Sequence, residues 1–231
     1  MNLCFDFDGP LIDVQDRYYR AYLESLADSR ISKEQILSKE DFWRLKQNRV
    51  TDLEIGLLSS LSLNESKSSA EIRKDLSFKH EYLALDRLFD DVYEVLDYLK
   101  LQNITFFVVT LRRKKQLQHA IKQFKLEKHL SSERLFAIND DQKIVNDIQD
   151  KYIEVVNAIN KLHLNSLETW IIGDADTDIH VAKLARCSKV ISISRGIRSK
   201  EQLELLKPNH LISSLTEIIP IIERLKQVAK N

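Results

Sequence analysis

Phe5-Asp6-Phe7-Asp8-Gly9-Pro10-Leu11-Ile12-Asp13 ends an apolar run in two aspartates one residue apart. On a β-strand, residues i and i+2 point the same way. At the carboxyl end of a strand both carboxylates can therefore face one pocket. Crowded like charges raise a pKa unless a cation or proton compensates. The pair suits a metal site, an acid/base pair, or both; Asp-Gly is also an ordinary turn dipeptide. A second acidic group, Gly173-Asp174-Ala175-Asp176-Thr177-Asp178, follows the apolar Trp170-Ile171-Ile172. Thr110 closes the run Phe106-Phe107-Val108-Val109, and Lys151 starts the predicted helix before the Asp174 strand, with Lys143 a competing lysine. By residue type alone, Thr110 reads as an N-cap and Lys151 as a solvated lysine.

The elements that position these residues alternate. Strands are predicted at Asn2–Phe7, Ile104–Thr110, Arg134–Ile138, Thr169–Gly173, Val190–Ser194 and His210–Ile212. Helices are predicted at Lys114–Phe124, Tyr152–Leu162 and Asp178–Ala185. Such alternation specifies an α/β fold with a doubly wound parallel sheet. Ligands of such sheets bind beyond the carboxyl ends of the strands, where Asp6, Thr110 and Asp174 fall. From Val14 to Leu88 no strand is expected; Asp16–Ser25, Lys39–Asn48, Asp52–Leu58 and Ser69–Leu83 read as helices. Asn64–Ser69 reads as a polar loop, with Ser69 as an N-cap. The expected division is a core of residues 1–13 and 89–231 and a small α-helical cap domain of residues 14–88, inserted after the first strand. Three of the four glycines (Gly9, Gly173 and Gly196) fall at strand-to-loop junctions near the pocket. Arg112-Arg113-Lys114-Lys115 is expected in a helix first turn, where positive charge is unfavourable. A phosphorylated substrate would explain it, and so would a solvated basic turn.

Composition narrows the function classes. The 231 residues are 43% hydrophobic and 30% charged, which suits a globular chain with a substantial core. Lys+Arg and Asp+Glu are both 35, so no global basic field for nucleic acid or an anionic membrane exists. Apolar stretches such as Ile104–Val109 are too short to span a bilayer. No positively charged n-region followed by an apolar h-region stands at the N-terminus, so a cytoplasmic location is expected. Cys4 and Cys187 read as reduced core residues. The six histidines show no zinc-ligand spacing.

The ordered set of Asp6-Phe7-Asp8-Gly9, Thr110, Lys151 and Gly173-Asp174-x-x-x-Asp178 resembles the haloacid dehalogenase superfamily, in its branch with a helical cap after the first strand. The stretch Ile193-Ser194-Arg195-Gly196-Ile197-Arg198-Ser199-Lys200-Glu201-Gln202-Leu203 looks like that of phosphoglycolate-phosphatase-like members. The resemblance implies a Mg²⁺-dependent phosphatase acting on a small phosphorylated metabolite, as a monomer or homodimer. Asp6 would be the nucleophile. Asp8 would be the general acid, then the base, and so protonated while Asp6 is ionised. Mg²⁺ would be held by Asp6, Asp174 and the backbone carbonyl of Asp8, with Asp178 completing the shell or orienting Lys151. Thr110 and Lys151 would bind phosphate oxygens, aided by N–H groups around Phe7, Asp8 and Leu111. Gly9, Leu111 and Arg112 would face the substrate, as would Lys46 and Arg49, one helix turn apart in the cap. Lys151 is preferred to Lys143 for its distance to Asp174, and Asp176 is expected to be a loop residue outside the metal shell. Two departures from the pattern are Pro10, where threonine or valine is usual, and Tyr152 after the lysine, where proline is frequent. Competing functions are a phosphomutase of the β-phosphoglucomutase type and a non-catalytic binding module; Asp8 argues against a dehalogenase.

Overall fold

Val, Ile, Leu and Phe crowd the central segments of the chain, and these pair into one sheet. The computed structural model describes residues 1–27 and 31–228. Eight strands are described: β1 (Asn2–Phe5), β2 (Ile12–Asp13), β3 (Arg87–Leu88), β4 (Thr105–Arg113), β5 (Leu135–Ile138), β6 (Thr169–Gly173), β7 (Lys189–Ile193) and β8 (His210–Ile212). Six of them form a parallel sheet in the order β5-β4-β1-β6-β7-β8. β1 lies in the middle and is buried on both faces, which is why Asn2-Leu3-Cys4-Phe5 shows no polar alternation. Its neighbours come from opposite directions of the winding, β4 on one side and β6 on the other. That reversal opens a crevice beyond the strand ends.

The period of two divides the core. Leu3, Phe5, Phe106, Val108, Trp170 and Ile172 pack on one face; Cys4, Phe107, Val109 and Ile171 pack on the other. The first face is covered by α6 (Val92–Leu101), α7 (Lys114–Gln123) and α11 (Ile218–Val228). The second is covered by α8 (Asp147–Lys161), α9 (Asp176–Leu184) and α10 (Lys200–Glu204). Both cysteines are free.

Between β1 and β4 the chain leaves the sheet. β2 and β3 pair antiparallel, Ile12 with Leu88 and Asp13 with Arg87. The excursion between them contains α1 (Gln15–Ser25), α2 (Lys39–Gln47), α3 (Asp52–Leu58), α4 (Leu63–Leu76) and α5 (His80–Leu83). β3 thus falls inside the stretch expected to lack strands. The expected loop at Asn64–Ser69 is also corrected: these residues lie within α4. Its N-cap is Ser62, whose hydroxyl accepts from the Glu65 N–H while the Glu65 carboxylate accepts from the Ser62 N–H (2.8 Å). Ser66 and Ser69 are buried. A Cβ on Gly56 of α3 would come 2.8 Å from the Ser66 side chain. Small residues let the two helices approach closely, so hydroxyls here pack a helix interface.

Candidate active site

The candidate site is set at the ends of the two central strands. β1 stops at Phe5, two residues earlier than the sequence suggests, and Asp6 is the first residue beyond it. The Asp6 N–H still donates to the Ile172 carbonyl (2.8 Å), which ties it to β6. The next residues form a tight loop in which Gly9 N–H donates to Ile12 O (2.9 Å) and Leu11 and Ile12 N–H to Phe7 O (3.2 and 3.1 Å). No hydrogen bond of this loop calls for an N–H at position 10. The Pro10 carbonyl accepts from Arg195 Nη2 (2.5 Å), so the unusual proline fits without loss.

Three carboxylates meet there. Asp6, Asp174 and Asp178 each offer an oxygen within 4.8 Å of the others. Lys151 projects between them from α8, its Nζ 2.7 Å from Asp6 Oδ2 and 2.5 Å from Asp178 Oδ1. α8 begins at Asp147, five residues before the expected start, with Asn146 accepting from the Gln149 N–H (3.0 Å). Lys151 therefore stands in the second turn, buried, whereas Lys143 is exposed. Asp178 also accepts from the Ala175 N–H (3.1 Å), and Asp174 from the Ile197 N–H (2.5 Å). Glycines make the room. A Cβ on Gly9, which sits at φ +90°, would land 2.1 Å from Asp174 Cγ, and one on Gly196 2.0 Å from Asp174 Oδ2.

When all are ionised, these three carboxylates, two of them buried, against one ammonium leave two negative charges in excess. Burial, with the charges of Asp178 and Asp8 added and only partly offset by Lys151, pushes Asp6 up to about 7. Burial beside Asp6 and Asp178 pushes Asp174 well above the carboxylate range. Lys151 is driven up instead, because Asp178 and Asp6 outweigh its burial. An all-oxygen donor set with a two-charge deficit fits a hard divalent cation.

Asp8 departs from expectation. Its carboxylate lies outside the acidic cluster and is held by Arg112 Nε (2.7 Å) and Arg17 Nη2 (2.8 Å). Burial raises its pKa, but the two guanidiniums outweigh that and bring it down to about 2. The chain's own charges thus favour a protonated Asp6 and an ionised Asp8, the reverse of the assignment a general acid needs.

β4 does not end at Thr110 but runs to Arg113 through an irregularity in its pairing with β5. The Thr110 hydroxyl is buried and accepts from the Arg112 N–H (3.2 Å); it caps no helix. Leu111 lies in the same irregularity, half-buried. Arg112 and Arg113 are therefore strand residues, and only Lys114 and Lys115 occupy the first turn of α7. The protein itself pairs the side chains of Arg113 and Lys114, and the Lys115 backbone N–H. Arg113 donates to the Asn139 carbonyl (2.8 Å), Lys114 to Asn139 Oδ1 (2.5 Å), and the Lys115 N–H to Asp140 (3.1 Å). Only Arg112 turns to the site.

In the helical insert, Lys46 is engaged with Asp52 (2.9 Å) and the Tyr18 ring. Arg49 is more open and points at Asp176, 4.0 Å away. Asp176 is the first residue of α9, not a loop residue, and pairs with Arg198 (2.9 Å). Trp43 is buried against Tyr18. Sequence reasoning missed Arg17 and Asp86. The only trace of Arg17 was a charge one turn before Ala21 on the inward face of α1; Asp86 left none.

Residues 3–192 match a protein family described as haloacid dehalogenase-like hydrolase. Pyrophosphatase PpaX of Bacillus mycoides (strain KBAB4) is 22% identical over 222 residues, 96% of either chain. A haloacid dehalogenase-like family hydrolase of Streptococcus pneumoniae superposes with a TM-score of 0.71 at 17% identity, covering 96% of this chain and 97% of that one. A Thermotoga maritima protein assigned as a β-phosphoglucomutase gives 0.63 at 17% identity, covering 97% and 99%. At these identities the structural likeness establishes the fold, which hydrolase and mutase share.

Proposed function

Because the chain belongs to the haloacid dehalogenase-like hydrolase family, we propose that it is a Mg²⁺-dependent phosphatase of small phosphate esters or anhydrides, working through an aspartyl-phosphate on Asp6. The observation that carries this is the setting of Asp6. It lies at the end of the central strand, 2.7 Å from a buried lysine, in an acidic cluster two charges short of neutrality.

Asp6, Asp174 and Asp178 would hold the cation, which when bound neutralises phosphate charge and keeps Asp6 ionised. Asp6 attacks phosphorus; the bond to the leaving oxygen breaks and its electron pair stays on that oxygen, which takes a proton from Asp8. Water then attacks the aspartyl-phosphate and returns a proton to Asp8, releasing inorganic phosphate and free Asp6. The two arginines hold Asp8 in the form suited to this second step. A phosphate dianion entering beside Asp8 adds negative charge, which raises Asp8 towards the protonated form for the first step. Lys151 and Thr110 face the non-transferred oxygens. The helices between β2 and β3 act as the cap. Of its two candidate substrate contacts, Arg49 is favoured over Lys46, which is already paired with Asp52.

The test is release of inorganic phosphate from a panel of esters plus pyrophosphate, with Mg²⁺ or EDTA, for wild type and Asp6→Asn. The expected result is Mg²⁺-dependent turnover that falls at least ~10³-fold in the variant, the scale of losing a covalent nucleophile. Turnover that survives EDTA or the substitution would overturn the reading.

A further inference from the structure

Four charged side chains meet behind the acidic cluster, brought together from four segments. Asp8 comes from the loop after β1 and Arg112 from the irregularity in β4. Arg17 comes from α1, where the helical insert begins, and Asp86 immediately precedes β3, where it ends. Each oxygen of Asp8 has its own arginine: Oδ2 accepts from Arg17 Nη2 (2.8 Å), and Oδ1 from Arg112 Nε (2.7 Å). Behind them Asp86 Oδ2 accepts from Arg112 Nη2 and from Arg17 Nη1 (3.4 Å). The Asp8 side chain is 26% exposed, while those of Arg17, Arg112 and Asp86 are at most 2% exposed. The quartet is neutral and opens to the site only through Asp8.

Two guanidiniums this deeply buried need more than one anion between them. Asp86 supplies the second, but it satisfies little of its own demand, since its Oδ1 has no partner. Its burial is accounted for by what it does to the arginines. A guanidinium is a planar fork whose direction is fixed when both ends are held. Asp86 holds Arg17 by Nη1 and Arg112 by Nη2, which leaves Arg17 Nη2 and Arg112 Nε aimed at Asp8 in set directions, with Arg112 Nη2 touching both aspartates. The Tyr18 and Phe7 rings lie against them, 5.1 and 5.0 Å from the guanidinium carbons.

We propose that Asp86 is a positioning residue for Asp8: by anchoring Arg17 and Arg112 from behind, it fixes the direction in which the Asp8 carboxyl meets the leaving-group oxygen. This rests on the phosphatase reading above, with Asp8 as proton donor. It goes beyond it by assigning a role to a residue that touches neither phosphate nor metal. Because Arg17 and Asp86 stand at the two ends of the insert, the insert's connections take part in aiming the acid.

The experiment compares kcat/KM for 4-nitrophenyl phosphate, whose phenolate leaves without a proton, and for an alkyl phosphate, whose alkoxide needs one. Wild type must turn over both, and Asp8→Asn must lose the alkyl ester selectively; failing either, the reading of Asp8 as proton donor to an ester falls, and the inference with it. Given both, Asp86→Asn is expected to lower kcat/KM for the alkyl ester at least ~10-fold more than for the aryl ester, part of the ~10²–10⁴ that a general acid supplies. Equal losses on both esters, or none, would overturn the inference while leaving the phosphatase reading intact. If Asp86→Asn does not fold by circular dichroism, Arg17→Lys decides. It keeps the buried charge but loses the fork, so the same selectivity is expected, and a wild-type ratio of the two esters would overturn the inference.

Discussion

Asp174 is wedged between two glycines, and that wedge is the most sensitive point of the site. Gly196→Ala puts a methyl 2.0 Å from Asp174 Oδ2, and Gly9→Ala adds the strain of φ +90° to a similar clash. Gly196 is the better probe, because the clash is with one side chain and its own backbone carries no such strain. Overpacking of this kind costs about 1–3 kcal/mol. Its larger effect should fall on the metal, since Asp174 must turn away from Asp6 and Asp178. Gly196→Ala is expected to fold, to lose most of the rise in melting temperature that Mg²⁺ gives wild type, and to lose at least ~10-fold in turnover. A variant with the wild-type Mg²⁺ shift would show that Asp174 holds no cation. The carboxylates were legible in the sequence because strand ends place them, whereas Lys151, by residue type a solvated lysine, was singled out by the family resemblance. The charge states of Asp6 and Asp8 were not legible, because they depend on Arg17, Arg112 and Lys151 arriving from elsewhere in the chain.

Elements were legible wherever apolar period and caps agreed. All six sheet strands lie within a few residues of their predicted bounds, because fully buried strands read as unbroken apolar runs. The first turn of α4 was not legible, because its inward face is serine packed against glycine and its polarity mimics a loop. Also invisible was the junction that holds the loop after β1 to the elements beside it. Asp91, at the start of α6, accepts two hydrogen bonds from Arg195 Nη1 (2.8 and 2.7 Å), one from Ser214 Oγ (2.7 Å) and one from the Leu215 N–H before α11 (2.8 Å). Arg195 in turn holds the Pro10 carbonyl and lies over Phe89. Burial raises the Asp91 pKa, but the hydrogen bonds and charge of Arg195, with Ser214 and Leu215, outweigh it and leave it lowered. A carboxyl lowered on folding stabilises the protein fully above its unfolded pKa of about 4 and loses that contribution as pH falls through the folded value. Asp91→Asn should therefore cost about 1–2 kcal/mol at pH 7, a figure reduced by the open side of the carboxyl. The gap to wild type should close below about pH 4. Urea unfolding across pH checks this, and a gap that is constant down to pH 3 would remove Asp91 from the acid-sensitive set.

At the scale of the molecule, formal charge is balanced but its distribution is not. Among 35 cationic and 35 anionic side chains, three carboxylates and one ammonium meet beyond the ends of the central strands, with two negative charges in excess when all are ionised. No helix among the described residues is long and apolar enough to cross a membrane. The helical insert rests on the sheet's loops beside the acidic cluster. Gln47 donates to the Gly196 carbonyl (3.0 Å) and accepts from the Ser199 N–H (3.2 Å), while Arg49 and Arg198 share Asp176. Anything that relaxes the central charge should therefore be felt by the whole fold. A cation that binds only the folded chain stabilises it by about 2.7 kcal/mol at a hundredfold excess over Kd. The same oxygens bind protons, since Asp6 is raised to about 7 and Asp174 well above its ordinary value. Below these values the cation must displace protons, so its apparent affinity falls with pH. The rise in melting temperature at fixed millimolar Mg²⁺ should accordingly be largest near pH 8 and shrink towards pH 5.5. It should be abolished by EDTA at every pH and by the charge-removing Asp174→Asn at pH 8. A shift independent of pH from 5.5 to 8, or one that Asp174→Asn leaves intact, would mean that Mg²⁺ stabilises the protein from a surface site and that protons alone neutralise the central carboxylates.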